Sequence, residues 1–361
     1  MKPVVSFLYV AFCFALAAGC YMSAYDNLDR YLYESLIRTR KQSIEDVYRI
    51  VKHESVRAEE STILDSPEHL AQLEPMYAIR PMYVQTIALL NDFGMSPNKA
   101  ISMVSAGAIF LIGVLMWRST GSLLYSAIIM AMPATLTLGR FGTPDALSSL
   151  VVVAGCIAAL RNKVFIAVLL LLTSVWIRTD NLLIAVAMLA WLAAEHKVGR
   201  LQAIVLGALA LGSVVYINTL AGNYGWSVLM HFTFVGGKYP AEISTGISLS
   251  NYLHAFAANA SSLISQMAVG ILCAVAAWQL KSQERMFLLP VAVACGLHYA
   301  LFPSGEARYL LWASLVASII FIRALVNGSA VVPRLKDHSP YLSTALNEFN
   351  EPAERELAAA G

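Results

Sequence analysis

Two aspartates near the start of the chain have the spacing of a small acid–base site. Asp26 and Asp29 lie three residues apart in the segment YDNLDRYLY, directly after a long apolar run. Tyr33 follows Asp29 by four residues, so the two side chains share one face of a helix. A carboxylate in such a place suits a general base that takes a proton from a hydroxyl group. Asp29 is the first candidate for this base and Asp26 the second, and the alternative for either is a helix N-cap.

Arginines next to acidic residues recur further along the chain. Three such pairs stand between apolar runs: Arg140 with Asp145, Arg178 with Asp180, and Arg308 with Glu306. Arg80 stands in a fourth polar segment, three residues after Tyr77. A guanidinium group is always charged and contacts phosphate oxygens in bidentate fashion, so these arginines suit a phosphate ligand. Each pair taken alone also fits a structural ion pair that fixes a helix end.

The composition indicates a protein that crosses a membrane many times. Hydrophobic residues make up 58% of the 361 residues and charged residues only 13%, whereas an average soluble domain carries roughly 25% charged residues. This balance excludes a disordered protein and argues against an ordinary soluble enzyme. The net charge of +2 is too small to indicate a nucleic-acid partner. The five cysteines all lie in apolar runs, and we interpret them as small buried hydrophobic residues.

Ten apolar runs come close to the roughly 20 residues that a spanning helix needs. They are Val4–Ala24, Ala100–Trp117, Ser122–Leu138, Ala146–Leu160, Val164–Ile177, Leu182–Ala194, Leu201–Leu220, Ala260–Leu280, Met286–Phe302 and Tyr309–Val326. With the N-terminus placed inside, every inside connection carries lysine or arginine, Arg118 and Arg161 among them, which predicts that both termini are cytoplasmic. The same rule favours a hairpin over residues 164–194, with its turn at Arg178–Asn181. The alternative for the first run is a cleaved signal peptide.

The connection from Tyr25 to Lys99 has about 75 residues, too many for a plain loop. One stretch in it, Gln42–His53, is amphipathic. Another, Pro81–Phe93, begins with proline and stops before a glycine, as a helix would. We therefore predict an all-α polytopic helical bundle over residues 1–328, with an outer-face cap of interfacial helices in residues 25–99. The polar residues 329–361 are predicted to form a flexible cytoplasmic tail.

The order of these motifs resembles the GT-C superfamily of integral-membrane glycosyltransferases, which includes protein mannosyltransferases and aminoarabinose transferases. The resemblance rests on five segments that follow one another up to the last apolar run. They are Tyr25–Tyr33, Tyr77–Tyr83, Arg140–Ala146, Trp176–Asn181 and Glu306–Tyr309.

The resemblance implies a polyprenyl-phosphate sugar as donor and a glycan, lipid or protein as acceptor at the extracytoplasmic face. It implies a base at Asp29 or Asp26 and a phosphate clamp of Arg80, Arg178 and Arg308, with Arg140 as a weaker member. The remaining candidates orient these arginines or bind acceptor hydroxyls: Asp145, Asp180, Glu306 and Tyr77. Tyr77 alternatively belongs to an interfacial aromatic belt.

No metal and no cofactor are expected, and the predicted location is the lipid bilayer of a bacterial inner membrane. Two rival functions stay open: a transporter or flippase of a lipid-linked glycan, and a non-catalytic scaffold of a cell-surface assembly. A transporter would carry polar residues near the middle of several spans. His298 is the one such residue, and we interpret it as a buried polar side chain.

Overall fold

A computed structural model describes residues 3–54, 64–244, 246–280, 282 and 284–326. Every regular element in these residues is helical, with sixteen α-helices, four short 3-10 segments and no strand. The predicted all-α class is therefore confirmed. The predicted tail, residues 329–361, lies outside the described residues.

The α-helices are numbered here in chain order. They are α1 (Pro3–Met22), α2 (Leu28–Arg38), α3 (Ile44–Glu54), α4 (Pro67–Ala78), α5 (Pro81–Asp92), α6 (Pro97–Thr120), α7 (Leu123–Met130), α8 (Pro133–Arg140), α9 (Asp145–Leu160), α10 (Val164–Ile177), α11 (Leu182–Ala194), α12 (Arg200–Ala221), α13 (Trp226–Phe234), α14 (Leu249–Gln279), α15 (Leu288–Leu301) and α16 (Leu311–Val326). The 3-10 segments are Thr179–Asn181, Pro240–Glu242, Arg285–Phe287 and Ala307–Tyr309.

Several of these helices are compatible with a membrane protein. Among the described residues, α1, α6, α12 and α14 are long and apolar enough to cross a bilayer, and α7 with α8 make a fifth candidate. Five further apolar helices are shorter, with 10–17 residues each.

The predicted run Ser122–Leu138 is not one continuous helix. The chain bends by 59° between α7 and α8, and Pro133 is the first residue of α8. Because proline has no backbone N–H and clashes with the preceding turn, the first helix cannot continue through this position. The predicted run is therefore two helices, α7 and α8, which together make the fifth candidate span.

The predicted break at Arg178–Asn181 is present. The backbone of Arg178 is extended, with φ −148° and ψ 122°, so α10 ends at Ile177. The Asn181 amide then donates hydrogen bonds to the Ser174 carbonyl oxygen at 2.9 Å and to Ser148 Oγ at 2.8 Å. These bonds tie the turn to α9 and α10 and fix the direction of the polar side chains beside it.

Helices α2 to α5 form a compact group, called here the α2–α5 group. Its inner side chains are Tyr31, Leu32, Val47, Val51, Leu64, Leu70, Leu73 and Met76. The buried face of α5, with Ile87, packs against Ala100 and Ile101 of α6. On α5, Ile87 is fully buried and Met82 is exposed, so only part of the apolar surface of this helix is free.

The main core lies between the remaining apolar helices, and α16, like α9, is among its most enclosed elements. Its buried residues include Trp312, Val316 and Ile320. Helix α14 approaches α16 closely at Gly270, where a Cβ atom would collide with the backbone of Ser314. Four of the five cysteines are buried and Cys295 is half-buried, which agrees with their predicted role as small core residues.

Candidate functional site

Asp29 lies in the first turn of α2, whose start is fixed by Asn27. The Asn27 side-chain oxygen accepts a hydrogen bond from the Arg30 backbone N–H at 2.9 Å, which is the contact of an N-cap residue. The alternative that Asp26 or Asp29 caps this helix is therefore wrong. Since Asn27 satisfies the cap, the Asp29 carboxylate is free for other partners.

Both oxygens of Asp29 have partners from distant parts of the chain. The Tyr77 hydroxyl at the end of α4 donates to Oδ1 at 2.5 Å. The Arg308 guanidinium, in the 3-10 segment before α16, donates to Oδ2 at 2.7 Å. Tyr33, the predicted neighbour on the same helix face, packs its ring edge-on against Tyr77 with centroids 5.2 Å apart.

The environment of Asp29 favours its ionised form. Burial alone raises the pKa of a carboxyl group, but the Arg308 charge and the Tyr77 hydrogen bond outweigh it and hold the pKa of Asp29 below its ordinary value. The charge of Arg80 acts in the same direction. At neutral pH the group is therefore a carboxylate, the form that a general base requires.

Asp145 links two of the predicted arginines. Its carboxylate contacts the Arg178 guanidinium closely and lies 3.7 Å from Arg308. The Thr143 hydroxyl donates to Asp145 Oδ2 at 2.7 Å. Asp145 is 2% exposed, so the cost of burying its charge is met by these partners. The pairing of Asp145 with Arg140, suggested by their closeness in sequence, is wrong.

Arg178 also pairs with Asp180, as its sequence position suggests. Two guanidinium nitrogens donate to the two carboxylate oxygens at 3.0 and 2.6 Å. His298, near the end of α15, brings Nδ1 within 3.4 Å of the same carboxylate. The imidazole is buried, and its Nε2 has no hydrogen-bond partner within the part of the chain that the structure describes.

Two residues of the site, His298 and Tyr309, are not assigned to it by the sequence. The sequence predicts that His298 is a buried polar side chain, and it is buried, at 7% exposed. The available signal was its position, because an ionisable residue in an apolar run usually faces a functional cavity or a partner.

Aromatic rings form a wall beside the two central arginines. The Arg178 guanidinium lies 4.8 Å from the Tyr309 ring centroid, and the Arg308 guanidinium lies 4.9 Å from both Tyr309 and Phe141. The Tyr309 hydroxyl accepts a hydrogen bond from Arg308 at 3.0 Å. Such faces hold the two guanidinium planes in place, while the guanidinium nitrogens contact the surrounding carboxylates and the Tyr309 hydroxyl.

Arg80 borders the same region without a direct bond to Asp29 among the described contacts. Its guanidinium donates to the Met76 carbonyl oxygen at 2.8 Å. It lies 5.5 Å from the Tyr77 ring centroid and 5.9 Å from that of Tyr33. Its influence on the pKa of Asp29 is electrostatic.

Three of the predicted site residues take other positions. Asp26 forms an exposed ion pair with Arg30 at 2.8 Å. Arg140 donates to the Ser23 carbonyl oxygen at 2.9 Å and stacks over the Tyr25 ring at 4.0 Å. Glu306 pairs with Arg308 from the exposed rim of the site.

The residues that do come together are called here the Asp29–Arg308 cluster. Its members are Asp29, Tyr77, Arg80, Asp145, Arg178, Asp180, His298, Arg308 and Tyr309. In this cluster each carboxylate lies next to a guanidinium group. An anion that binds to one of these arginines would displace a carboxylate from it. No group of three or more His, Cys, Asp or Glu residues among the described ones is arranged to hold a metal ion. No protein-family model, curated protein or solved structure matches the chain.

Proposed function

We propose that the chain is an integral-membrane glycosyltransferase of the GT-C type. It transfers a sugar from a polyprenyl-phosphate donor to a glycan, lipid or protein acceptor at the extracytoplasmic face. The observation that carries this proposal is the contact between the Asp29 carboxylate and Arg308, beside Arg178 and Arg80, at the ends of apolar helices. A base next to fixed cations is what sugar transfer from a phosphate requires.

The chemistry assigns a role to each side of the cluster. The acceptor hydroxyl oxygen attacks the anomeric carbon and forms the new glycosidic bond, while its proton passes to Asp29. The bond between the anomeric carbon and the phosphate oxygen breaks, and that oxygen keeps the electron pair. Arg308 and Arg178 stabilise the departing phosphate, which replaces part of their contact with carboxylates. Attack opposite the phosphate gives inversion.

The proposed membrane arrangement has ten spans and cytoplasmic termini in a bacterial inner membrane. It is supported by where the polar connections meet. Most of the site candidates predicted at the outer face gather in the Asp29–Arg308 cluster, whereas Arg118 and Arg161, which lie in two predicted inside connections, contact each other elsewhere. Arg161 donates to the Arg118 carbonyl oxygen at 2.6 Å. In this arrangement the α2–α5 group is the outer-face cap.

An apolar groove supports a lipid donor. It has a volume of about 500 Å³ and runs between α10 and α12, lined by Trp176, Val205, Leu209, Gly212 and Tyr216. Trp176 lies in the last turn of α10, two residues before Arg178 in the chain. Helix α12 buries only 11% of its apolar window in the protein, and the rest suits contact with hydrocarbon. We assign the groove to the polyprenyl chain.

The transporter alternative finds less support. It needs polar residues across the middle of several spans, whereas the charged members of the cluster lie at helix ends and in the connecting segments. His298 is within the last turn of α15 and already has Asp180 as a partner. In a scaffold the alternating charges would serve only as structural ion pairs between the helices.

Release of polyprenyl phosphate tests the proposal. The purified chain is incubated with a panel of polyprenyl-phosphate sugars and a membrane extract as acceptor source. We expect release by the wild type and a loss of about 100-fold or more in Arg308→Gln, since a cation that faces the leaving group is worth this much. Arg140→Gln, which alters an arginine outside the cluster, should stay within twofold. No release with any donor, or equal loss in both variants, would contradict it.

A further inference from the structure

A second polar pocket lies away from the Asp29–Arg308 cluster. It has a volume of about 380 Å³ and sits where the end of α1 meets the starts of α2 and α6. Its lining includes Tyr21, Met22, Asp26, Arg30, Lys99 and Ser102. Arg30 follows Asp29 directly in α2, and successive helical side chains point in different directions, so the pocket and the cluster occupy different sides of this helix.

The pocket carries a positive charge that is not fully used. Arg30 is held in place, with Nε donating to Asn98 Oδ1 at 3.1 Å and one Nη donating to Asp26 at 2.8 Å. The other Nη has no hydrogen-bond partner among the described residues. The Lys99 ammonium likewise has no carboxylate within ion-pair distance in the described part of the chain. The pocket therefore contains two cations, Arg30 and Lys99, and one exposed carboxylate, Asp26.

An apolar seam between α1 and α6 continues from this pocket. Met103 follows Lys99 by one helical turn and is 47% exposed. Further along, Phe14 of α1 meets Phe110 of α6 edge-on, with ring centroids 6.4 Å apart. Between them Gly107 leaves open space, since a Cβ atom there would meet nothing within 4 Å. A polar pocket above an exposed apolar seam has the two-part shape of a lipid.

We propose that this pocket binds the phosphate group of a membrane phospholipid, with the acyl chains along the α1–α6 seam. Lys99 and the free edge of Arg30 supply charge-assisted hydrogen bonds to the phosphate oxygens. Lys99 lies in the first turn of the apolar helix α6, and Arg30 lies in the first turn of α2 beside the end of α1, so both stand at helix ends where lipid headgroups are found. The inference rests on the proposed membrane location, and it is independent of sugar transfer.

Native mass spectrometry of the full chain in detergent tests the site. The probes are phosphatidylglycerol and a digalactosyl diacylglycerol with the same acyl chains but no phosphate. We expect phosphatidylglycerol to bind preferentially, Lys99→Ala to weaken it about tenfold, and Lys99→Arg to restore it. Lys41→Ala removes a lysine of the α2–α5 group that is paired with Asp92, so it is the matched control and should bind as the wild type does.

Each other outcome overturns the proposal. Equal binding by Lys99→Ala and the wild type would remove Lys99 from the site. Equal binding of the galactolipid would mean that only the apolar seam is recognised. Displacement of the lipid by millimolar inorganic phosphate would indicate a site for a free anion. Lys99 has no ion-pair partner among the described residues, so Lys99→Ala should unfold at the wild-type temperature. A lower unfolding temperature would show that the Lys99 ammonium group has a partner in the protein and is not free for a lipid.

Discussion

Arg308 and Asp29 are 279 residues apart in the chain, yet they form an ion pair with 2.7 Å between Nη1 and Oδ2. The pair joins the first turn of α2 to the segment before α16 and therefore connects the α2–α5 group to the main core. Arg308 also reaches Asp145, which in turn contacts Arg178. The two guanidinium groups thus share one buried carboxylate, and a ligand that engages either arginine affects the other.

Removal of the Tyr77 hydroxyl should impair the proposed base without disturbing the fold. Tyr77→Phe deletes the hydrogen bond to Asp29, so the pKa of Asp29 rises and the acidic limb of the pH–rate profile moves to higher pH. We expect turnover to fall about tenfold. Tyr83→Phe is the control, since the buried Tyr83 hydroxyl has no hydrogen-bond partner among the described residues. Similar profiles for both variants would contradict the role of Tyr77.

The buried arginine at the end of α10 should matter for stability. Arg178→Met removes the close partner of the buried Asp145 carboxylate and leaves it only Arg308 at 3.7 Å and the Thr143 hydroxyl, so we expect a loss of about 3 kcal/mol in the free energy of unfolding. Adding Asp145→Asn removes that charge and should recover part of the loss. Urea unfolding followed by tryptophan fluorescence measures both variants. A double variant as unstable as the sum of its single changes would show that the two residues act independently.

Glu74 in α4 should make stability depend on pH. Burial raises the pKa of Glu74, and the hydroxyls of Ser35 and Thr39 offset this only in part. Because the pKa is higher in the folded state, the contribution of Glu74 to stability is present at low pH and is lost as pH rises through that value. Glu74→Gln should therefore raise the unfolding temperature by about 1–2 °C at pH 8 and leave it unchanged at pH 4.

Glu68, in the first turn of the same helix, is the matched control for Glu74. Its pKa is lowered by hydrogen bonds from Ser66 and from the helix backbone, so its contribution has the opposite sign. Glu68→Gln should slightly lower the unfolding temperature at pH 8. If both variants shift the temperature in the same direction at pH 8, burial of Glu74 is not the cause.

Sequence patterns identified the helices well because apolar runs and proline positions act locally. They also indicated which polar residues belong together, since Arg178 with Asp180 and Arg308 with Glu306 are neighbours in the chain. Sequence patterns failed to predict a contact where the two partners are far apart in the chain. They also failed where two neighbouring residues suit the same role about equally well. Asp145 pairs with Arg178 rather than Arg140 because helix packing, not chain separation, decides that contact. Asp26 and Asn27 are adjacent and have similar N-cap preferences, so the sequence alone does not decide between them. In the structure Asn27 is the N-cap of α2.

The contact of His298 could not be predicted from the sequence for the same reason, because its partner Asp180 is distant in the chain. Its apolar run predicts a buried helix, and burial alone does not reveal the Asp180 carboxylate beside the imidazole. The bend at Pro133 could be anticipated from proline chemistry, but the surrounding hydrophobicity is continuous and favoured one helix. Asp26 and Asp29 have similar sequence surroundings, but α2 begins between them, so Asp26 stays outside the helix and pairs with Arg30 whereas Asp29 lies in its first turn and pairs with Arg308.

The turnover of Asp29→Asn tests the central claim most directly. The variant keeps the size of the side chain and an acceptor for Tyr77, but it cannot take a proton. With the polyprenyl-phosphate sugar that the wild type uses, we expect turnover to fall by about 1000-fold, while bound polyprenyl phosphate and the unfolding temperature stay close to the wild-type values. Turnover within threefold of the wild type would contradict the assignment of Asp29 as the base, and with it the proposed transfer mechanism.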